Sequence, residues 1–374
     1  AAANAGHDDI NLRDVDMAQV QEALIAAGVL PPEIRSRQLQ PWRLEGDALA
    51  QAVAALDGRP LISYADMEMD EVYRQRILPV DVCCAGPEAI GLLEKELERE
   101  DLTGFGNLSG LGENPRALLV AQLLCLLGSR AGVPLLVAQL REALSGPELP
   151  ARSSHIRYAG APPDQGAMPQ EVYWLHALGM ARDERAIPVW QRVVDLLATA
   201  SDEDVASGVK GVFYYVEAVC AGAERLGSRE AVPLLRQLHG YAPFHGLVCR
   251  QGFEVDHFPE RRAYLELLIA RALARCGSPQ GVAVLINYLD DVRALLARHA
   301  HSELMAIGGQ DLEAEPALWS QWLETQGDEL EPKPYDAPAA PRQVWGEEVL
   351  VDGGRQTADR GRVFFATNYS NLTN

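Results

Sequence analysis

Apolar side chains recur at helical spacing in several separate stretches of the chain. In residues 133–144 and 282–289 they fall at every third or fourth position, and residues 265–273 follow the same spacing. Positions three and four apart lie on one face of an α-helix. The pattern therefore predicts amphipathic helices in pairs, with first helices at 173–178, 212–219 and 265–273 and second helices after each intervening turn.

The turn between the paired helices repeats along the sequence. Residues 127–136 read LGSRAGVPLL and residues 226–235 read LGSREAVPLL, while looser copies are DERAIPV at 183–189 and SPQGVAV at 278–284. A fainter copy, GPEAIGL, occupies residues 86–92. Taken between equivalent positions, the copies are 43, 54, 45 and 50 residues apart; these positions are Gly86, Ser129, Asp183, Ser228 and Ser278. Self-similarity at this period is typical of stacked helix pairs with insertions, because one pair exposes too much apolar surface to be stable alone.

Each clear copy of the turn carries signals for the start of a helix. Each of the four copies contains a residue suited to an N-cap at the equivalent position: Ser129, Asp183, Ser228 and Ser278. Their side-chain oxygens can accept hydrogen bonds from the first free backbone N–H groups. In three copies proline follows five positions later, as Pro134, Pro188 and Pro233. Proline at that place costs little if a loose or 3₁₀ turn lies between cap and proline, and it fixes where the helix begins. Val133, Leu136, Val232 and Leu235 are predicted to be buried at equivalent places.

The Ser/Asp-x-x-Ala-Val-Pro-x-Leu turn resembles the HEAT repeats, especially the short-turn kind of the PBS lyase type, over residues 86–325. That resemblance implies an all-α, HEAT-like solenoid of antiparallel helix pairs and a binding role. The segment 315–322 resembles the closing helix of bacterial HEAT arrays. A second resemblance links residues 15–24, VDMAQVQEAL, to the helical region that follows the flavin domain in bacterial FAD-dependent oxidoreductases. The flavin-binding motif itself is missing, so the second resemblance assigns no flavin chemistry to this chain.

The rest of the chain divides by composition. Residues 1–80 are predicted to be a helical lead-in or cap with helices near 17–27 and 46–56, and residues 81–330 the repeat array. Residues 331–343 are proline-rich and predict a linker, while residues 344–374 predict a short, partly β C-terminal tail. Trp319 and Trp322 can share one helix face, either packed over the last repeat or exposed for recognition.

Composition and charge narrow the class of partner. The chain has 48% hydrophobic but only 6% aromatic residues, and its formal net charge is −20. That charge disfavours nucleic acid and anionic membranes. No apolar run approaches the length of a membrane span, so a soluble protein is expected. The chain begins without Met or an apolar signal core, which indicates a processed or excised N-terminus and leaves the compartment open, export included.

Candidate chemistry in the sequence is sparse. The six cysteines show no CxxC spacing, so free thiols are expected, with disulfides as the alternative. His299 and His301 stand two apart on a predicted helix and should point to different faces. The glycine-rich segment 104–112 follows an acidic stretch rather than a strand and is interpreted as a loop. We therefore predict no catalytic residue, no cofactor and no metal site.

Two insertions stretch the repeat period, at residues 145–170 and 240–259, and both should emerge on one rim of the array. They concentrate aromatic and basic groups in an acidic chain, and the predicted binding residues are His155, Arg157, Tyr158, Tyr241, His245, Arg250 and His257. The second insertion also offers Cys249 and Asp256 as metal-type donors, but in a spacing that matches no zinc pattern. The alternative is that both loops only cover the apolar edges of neighbouring helices.

The sequence therefore predicts a non-catalytic scaffold whose surface binds a protein or another domain of a longer chain. The alternative is the accessory helical region of a FAD-dependent oxidoreductase whose flavin domain is absent from this chain. Bound flavin would distinguish the two, because it would colour the protein yellow.

Overall fold

A computed structural model describes most of the chain between residues 44 and 335. The described residues are 26, 44–56, 82, 85–100, 115–150, 169–207, 211–252, 257–327 and 330–335. The chain divides into two compact units, Ala1–Arg43 and Leu44–Asn374. In the first unit only Ala26 is described, as an exposed helical residue.

The described part of the second unit consists of helices and their connections, without a strand among the described residues. The helices are α1 (Gly46–Ala54), α2 (Pro87–Arg99), α3 (Pro115–Leu126), α4 (Val133–Ala143), α5 (Gln170–Met180), α6 (Ile187–Leu196), α7 (Asp202–Ser207), α8 (Val212–Leu226), α9 (Val232–His239), α10 (His257–Arg275), α11 (Pro279–Tyr288), α12 (Ala294–Gly308) and α13 (Pro316–Gln326). The all-α prediction is confirmed for these residues. The predicted β tail lies outside them.

Three of the predicted caps form as expected. The side chains of Ser129, Asp183 and Ser228 each accept a hydrogen bond from the backbone N–H two residues later, at 3.2, 2.9 and 3.3 Å. A 3₁₀ turn follows each cap, and proline stands in the first turn of the helix after it. The prediction is wrong at Ser278, whose side chain makes no capping bond. There Pro279 starts α11 directly, without an intervening 3₁₀ turn.

The helix pairs contact one another in chain order. The first helices α3, α5, α8 and α10 each pack against the next, and α12 packs against α10. The second helices α4, α6 and α9 form a parallel series in the same order, while α11 packs between α10, α12 and α13. Two layers of helices therefore bury a core between them, as repeated helix pairs require.

The buried apolar residues among those described form three clusters along the second unit. Val133, Leu136 and Leu235 are fully buried, as predicted, whereas Val232 is only half-buried against the core, contrary to the prediction. Trp319 of α13 is fully buried and donates from Nε1 to the carbonyl oxygen of Glu313 at 3.0 Å. Trp322 packs edge-on against it. Trp319 therefore closes the core at the C-terminal end of the array.

Candidate functional site

The cap turns of successive pairs contact one another. Arg130 of the first turn donates to the carbonyl oxygen of Arg182 at 3.1 Å, and Arg185 donates back to the carbonyl oxygen of Arg130 at 3.4 Å. In the next turn, Ser228 and Glu184 are joined by a hydrogen bond of 3.2 Å. These contacts bring the polar residues of separate repeats onto one shared surface.

The residue before each cap takes a left-handed backbone conformation. Three copies use glycine there, with φ of 83°, 59° and 89° at Gly128, Gly227 and Gly277. The fourth uses Arg182, with φ 49°, although a side chain in this region costs roughly 1–2 kcal/mol. Arg182 is the only residue other than glycine with positive φ among those described. Its side chain contacts the segment 330–335.

Residues 330–335, the beginning of the proline-rich segment, lie extended across these turns; we call them the strap. The backbone N–H groups of Leu330, Lys333 and Tyr335 donate to carbonyl oxygens of the repeat array at 3.2, 2.9 and 2.7 Å. The acceptors belong to Gly277, Arg275 and Glu224, in that order. Because the order runs backwards along the chain, successive strap residues lie beside earlier repeats.

Arginine side chains bind the strap's carbonyl oxygens in turn. Arg229 donates to Leu330, Arg275 to Lys333 and Arg182 to Tyr335, at 2.9, 3.3 and 3.1 Å. The guanidinium groups of Arg271 and Arg275 lie 5.6 and 4.8 Å from the centre of the Tyr335 ring, a cation–π geometry. The strap is thus held mainly through its backbone, by contacts that do not depend on the identity of most of its side chains. The ring of Tyr335 adds one side-chain contact.

The two arginines against Tyr335 are themselves neutralised by buried glutamates. Arg271 makes two bonds to Glu224, at 2.5 and 2.7 Å, and Arg275 makes two to Glu303, at 3.0 and 2.7 Å. Burial lowers the pKa of Arg271, but the carboxylate of Glu224 more than reverses this and raises it overall. These pairs fix the guanidinium planes, so the surface under Tyr335 is preformed.

A pocket of about 620 Å³ lies where the described part of the strap ends. Its lining residues are Arg130, Arg182, Asp183, Glu184, Arg185, Arg225, Leu226 and Pro334. Four arginines therefore line it against two acidic residues, in a chain whose net charge is −20. The pocket is an arginine-rich surface in a strongly acidic protein; we call it the arginine pocket.

The charges inside the arginine pocket are unevenly balanced. Asp183 makes a two-point ion pair with Arg185, at 2.8 and 2.7 Å, and this pairing lowers the pKa of Asp183. Arg225 is different: its Nε is buried without a hydrogen bond in the described structure, and burial lowers its pKa. Burial and the charge of Arg225 lower the pKa of His176 to about 3, so that histidine is neutral. His176 therefore adds no positive charge beside Arg225, whose own charge is favoured by the carboxylate of Glu224.

The structure describes three of the predicted binding side chains. Tyr241 is half-buried, accepts from Gln237 at 2.7 Å and donates to the carbonyl oxygen of Val194 at 3.2 Å. Arg250 is exposed, 4.0 Å from Asp290, and His245 is exposed beside His239. His155, Arg157 and Tyr158 lie outside the described residues, as does the side chain of His257. Their binding role stays a prediction.

The histidines predicted to point apart have different partners. His299 lies 3.1 Å from Arg271, while Nε2 of His301 lies 2.7 Å from the carbonyl oxygen of Leu312. Of the described cysteines, Cys125, Cys220 and Cys276 are buried free thiols whose pKa is raised mainly by burial. Neither set contributes to the arginine pocket.

Sequence reasoning missed the strap and the arginine pocket. One signal was present: arginine follows the cap residue within two positions in three copies of the turn, at Arg130, Arg185 and Arg229. That recurrence indicates a row of positive charge along one edge, but it says nothing of what the row contacts. The proline-rich composition of residues 331–343 predicted extended backbone without predicting a binding surface for it.

Comparisons with known proteins give one family. No curated protein and no solved structure shows a significant match to the chain. The resemblance to FAD-dependent oxidoreductases has no support from them and stays a prediction. None of the described helices combines the length and apolar character needed to cross a bilayer. Residues 268–291, from the end of α10 through α11, match the family model of the PBS lyase HEAT-like repeat, so the HEAT-like repeat identified from the sequence is confirmed.

Proposed function

We propose that this protein is a HEAT-like solenoid scaffold that binds an acidic segment of a partner protein in the arginine pocket. The observation that carries the proposal is the pocket itself: four arginines around about 620 Å³, in a chain of net charge −20. The match to a HEAT-like repeat supports a scaffold, because helix-repeat proteins present extended binding surfaces.

The strap supports a peptide as the kind of ligand. It occupies the surface beside the pocket as an extended segment, held by backbone hydrogen bonds and by arginine donors to its carbonyl oxygens. A partner segment entering the pocket would meet the same donor type, with Arg130 exposed at its edge. Carboxylates are the natural acceptors for guanidinium groups, since the two can pair through two parallel hydrogen bonds.

Electrostatics favour selective encounter. The chain repels acidic partners everywhere except near local positive surfaces, so an acidic segment is steered toward the pocket. The attraction should weaken with salt, because charges in water are screened over about 10 Å at 0.1 M ionic strength. Binding that is insensitive to salt is not expected for this site.

The test uses the full chain and two labelled peptides, hexaglutamate and hexaglutamine, in fluorescence anisotropy titrations. We expect hexaglutamate to bind more tightly, and Arg130→Glu to weaken it roughly fivefold, about 1 kcal/mol, as for a single exposed charge contact. Arg236→Glu is the matched control, because Arg236 is exposed on α9 and does not line the pocket.

Two results would contradict the proposal. Equal binding of both peptides would remove the preference for acidic ligands. An equal loss in Arg130→Glu and Arg236→Glu would mean that the peptides sense only the overall charge of the protein and not the pocket.

A further inference from the structure

The loop after α9 returns against α10 and brings three metal-type donors together. His239 ends α9, His245 follows the short turn Ala242–Phe244, and Glu266 projects from the middle of α10. One ligand atom from each lies within 4.8 Å of the other two. Nε2 of His239 and Oε1 of Glu266 are 3.4 Å apart. This cluster is separate from the arginine pocket.

Glu266 is held in place by three hydrogen bonds. Its Oε1 accepts from the backbone N–H of Gly246 at 2.7 Å, and its Oε2 accepts from that of Leu247 at 2.7 Å and from the hydroxyl of Tyr288 at 2.8 Å. The residue is only 2% exposed. The side chain is thus a buried carboxylate, and its Oε1 keeps acceptor capacity on the side of His239.

His239 has a free nitrogen on the side of Glu266. The residue is 4% exposed, and its Nε2 is buried without a hydrogen bond of normal geometry in the described structure. Its Nδ1 lies 3.4 Å from the side-chain amide of Gln280. With that amide turned so that its oxygen accepts from Nδ1–H, Nε2 presents its lone pair beside the carboxylate. A metal-bound histidine commonly has this second partner on its other nitrogen.

His245 completes the cluster from the solvent side. Its ring is exposed and stands edge-on to that of His239, with 5.0 Å between ring centres. Two buried ligands and one exposed ligand leave a position open to water. A fully enclosed structural site would instead use four protein ligands.

We propose that His239, His245 and Glu266 bind one zinc ion, with water as the fourth ligand. Two ligands at about 2.0–2.1 Å from a tetrahedral zinc lie roughly 3.3–3.4 Å apart, which the His239–Glu266 separation matches. Two imidazoles with one carboxylate suit zinc, whereas calcium and magnesium prefer oxygen ligands alone. The ion ties the loop after α9 to α10. The sequence spacing gave no sign of it, because Glu266 lies on another element.

The test is zinc titration of the full chain after EDTA treatment and dialysis, with a chromogenic zinc chelator as competitor. We expect a saturable site that His245→Ala weakens by more than about 100-fold, because that change removes a direct ligand. Tyr288→Phe, which removes only a hydrogen bond to Glu266, should weaken it about 10-fold or more. Circular dichroism of each variant confirms that it is folded.

The matched control is Cys249→Ala, because Cys249 lies on the same loop and its thiol is also a zinc-type donor. Its affinity for zinc should equal that of the wild type. Cobalt(II) bound in place of zinc should show no thiolate charge-transfer absorption, since the proposed ligands are nitrogen and oxygen. Absence of saturable binding, equal binding by wild type and His245→Ala, or loss in Cys249→Ala overturns the proposal.

Discussion

Neighbouring helix pairs approach each other closely at Gly222, and its replacement by alanine tests the packing directly. A Cβ atom at Gly222 in α8 would stand 2.5 Å from Cζ2 of Trp190, whose side chain is fully buried. Across the same contact, a Cβ at Gly179 in α5 would stand 2.7 Å from Cα of Gly222. Carbon atoms at such distances overlap, so either the indole ring or a helix must move.

The expected size follows from two opposing effects. Alanine stabilises a helix interior over glycine by about 1 kcal/mol. Overpacking a close-packed core costs typically about 1–3 kcal/mol, and the upper end applies here because Trp190 has no exposed side to move into. Gly222→Ala should therefore lower the free energy of unfolding by about 2 kcal/mol.

Gly91→Ala is the matched control, because Gly91 is exposed in α2 and a Cβ there would meet nothing within 4 Å. This variant should gain up to about 1 kcal/mol from helix propensity alone. The two substitutions are chemically identical, but their expected effects on the free energy of unfolding are opposite in sign. Urea unfolding followed by circular dichroism measures both, and tryptophan fluorescence reports on the surroundings of Trp190. A Gly222→Ala protein as stable as Gly91→Ala would refute the close contact between the pairs.

Two further predictions concern the repeat unit. Leu235→Ala should lower the free energy of unfolding by about 2–4 kcal/mol, because Leu235 is fully buried; a loss below about 0.5 kcal/mol in urea melts would show that the repeat register is wrong. Arg185 lowers the pKa of Asp183 in the folded state, so the charge of Asp183 adds stability above its unfolded pKa of about 3.9, and this stability is lost as pH falls through the folded pKa. Asp183→Asn keeps a capping oxygen without the charge. Its free energy of unfolding should be lower than that of the wild type by up to about 1 kcal/mol at pH 7, because the partner Arg185 is half exposed, and this difference should shrink by pH 3. A difference that grows on acidification would contradict the assignment.

The arginine pocket and the histidine–glutamate cluster can be tested independently. Peptide binding in the arginine pocket depends on Arg130 and on salt, whereas zinc binding by the cluster depends on His245. Loss of zinc binding in His245→Ala with unchanged peptide binding would leave the proposed function intact. Loss of peptide binding in Arg130→Glu with unchanged zinc binding would likewise leave the zinc site intact.

The paired helices of the repeats and the way they begin could be predicted from local sequence patterns. Helical periodicity, an N-cap side chain and a proline in the first turn act over a few residues, so the repeated turn could be predicted with three of its four caps. The sequence left a loose or a 3₁₀ segment open between cap and proline, and the structure has the 3₁₀ form. The fourth predicted cap, Ser278, makes no capping bond, and there Pro279 starts the helix without a 3₁₀ turn. The burial of Leu136 and Leu235 followed from the same periodicity, since a repeated unit places equivalent residues in equivalent surroundings.

The positions of the arginine pocket and of the histidine–glutamate cluster depend on contacts between residues far apart in sequence. Tyr335 reaches Arg182, and Glu266 reaches His239, across long stretches of chain, and no local rule specifies either contact. The strap illustrates the reason: its prolines favour extended backbone wherever they occur, but the carbonyl oxygens and arginines that bind it come from three different repeats. Those groups lie on one surface only after the helix pairs have stacked, because stacking determines which turns come into contact.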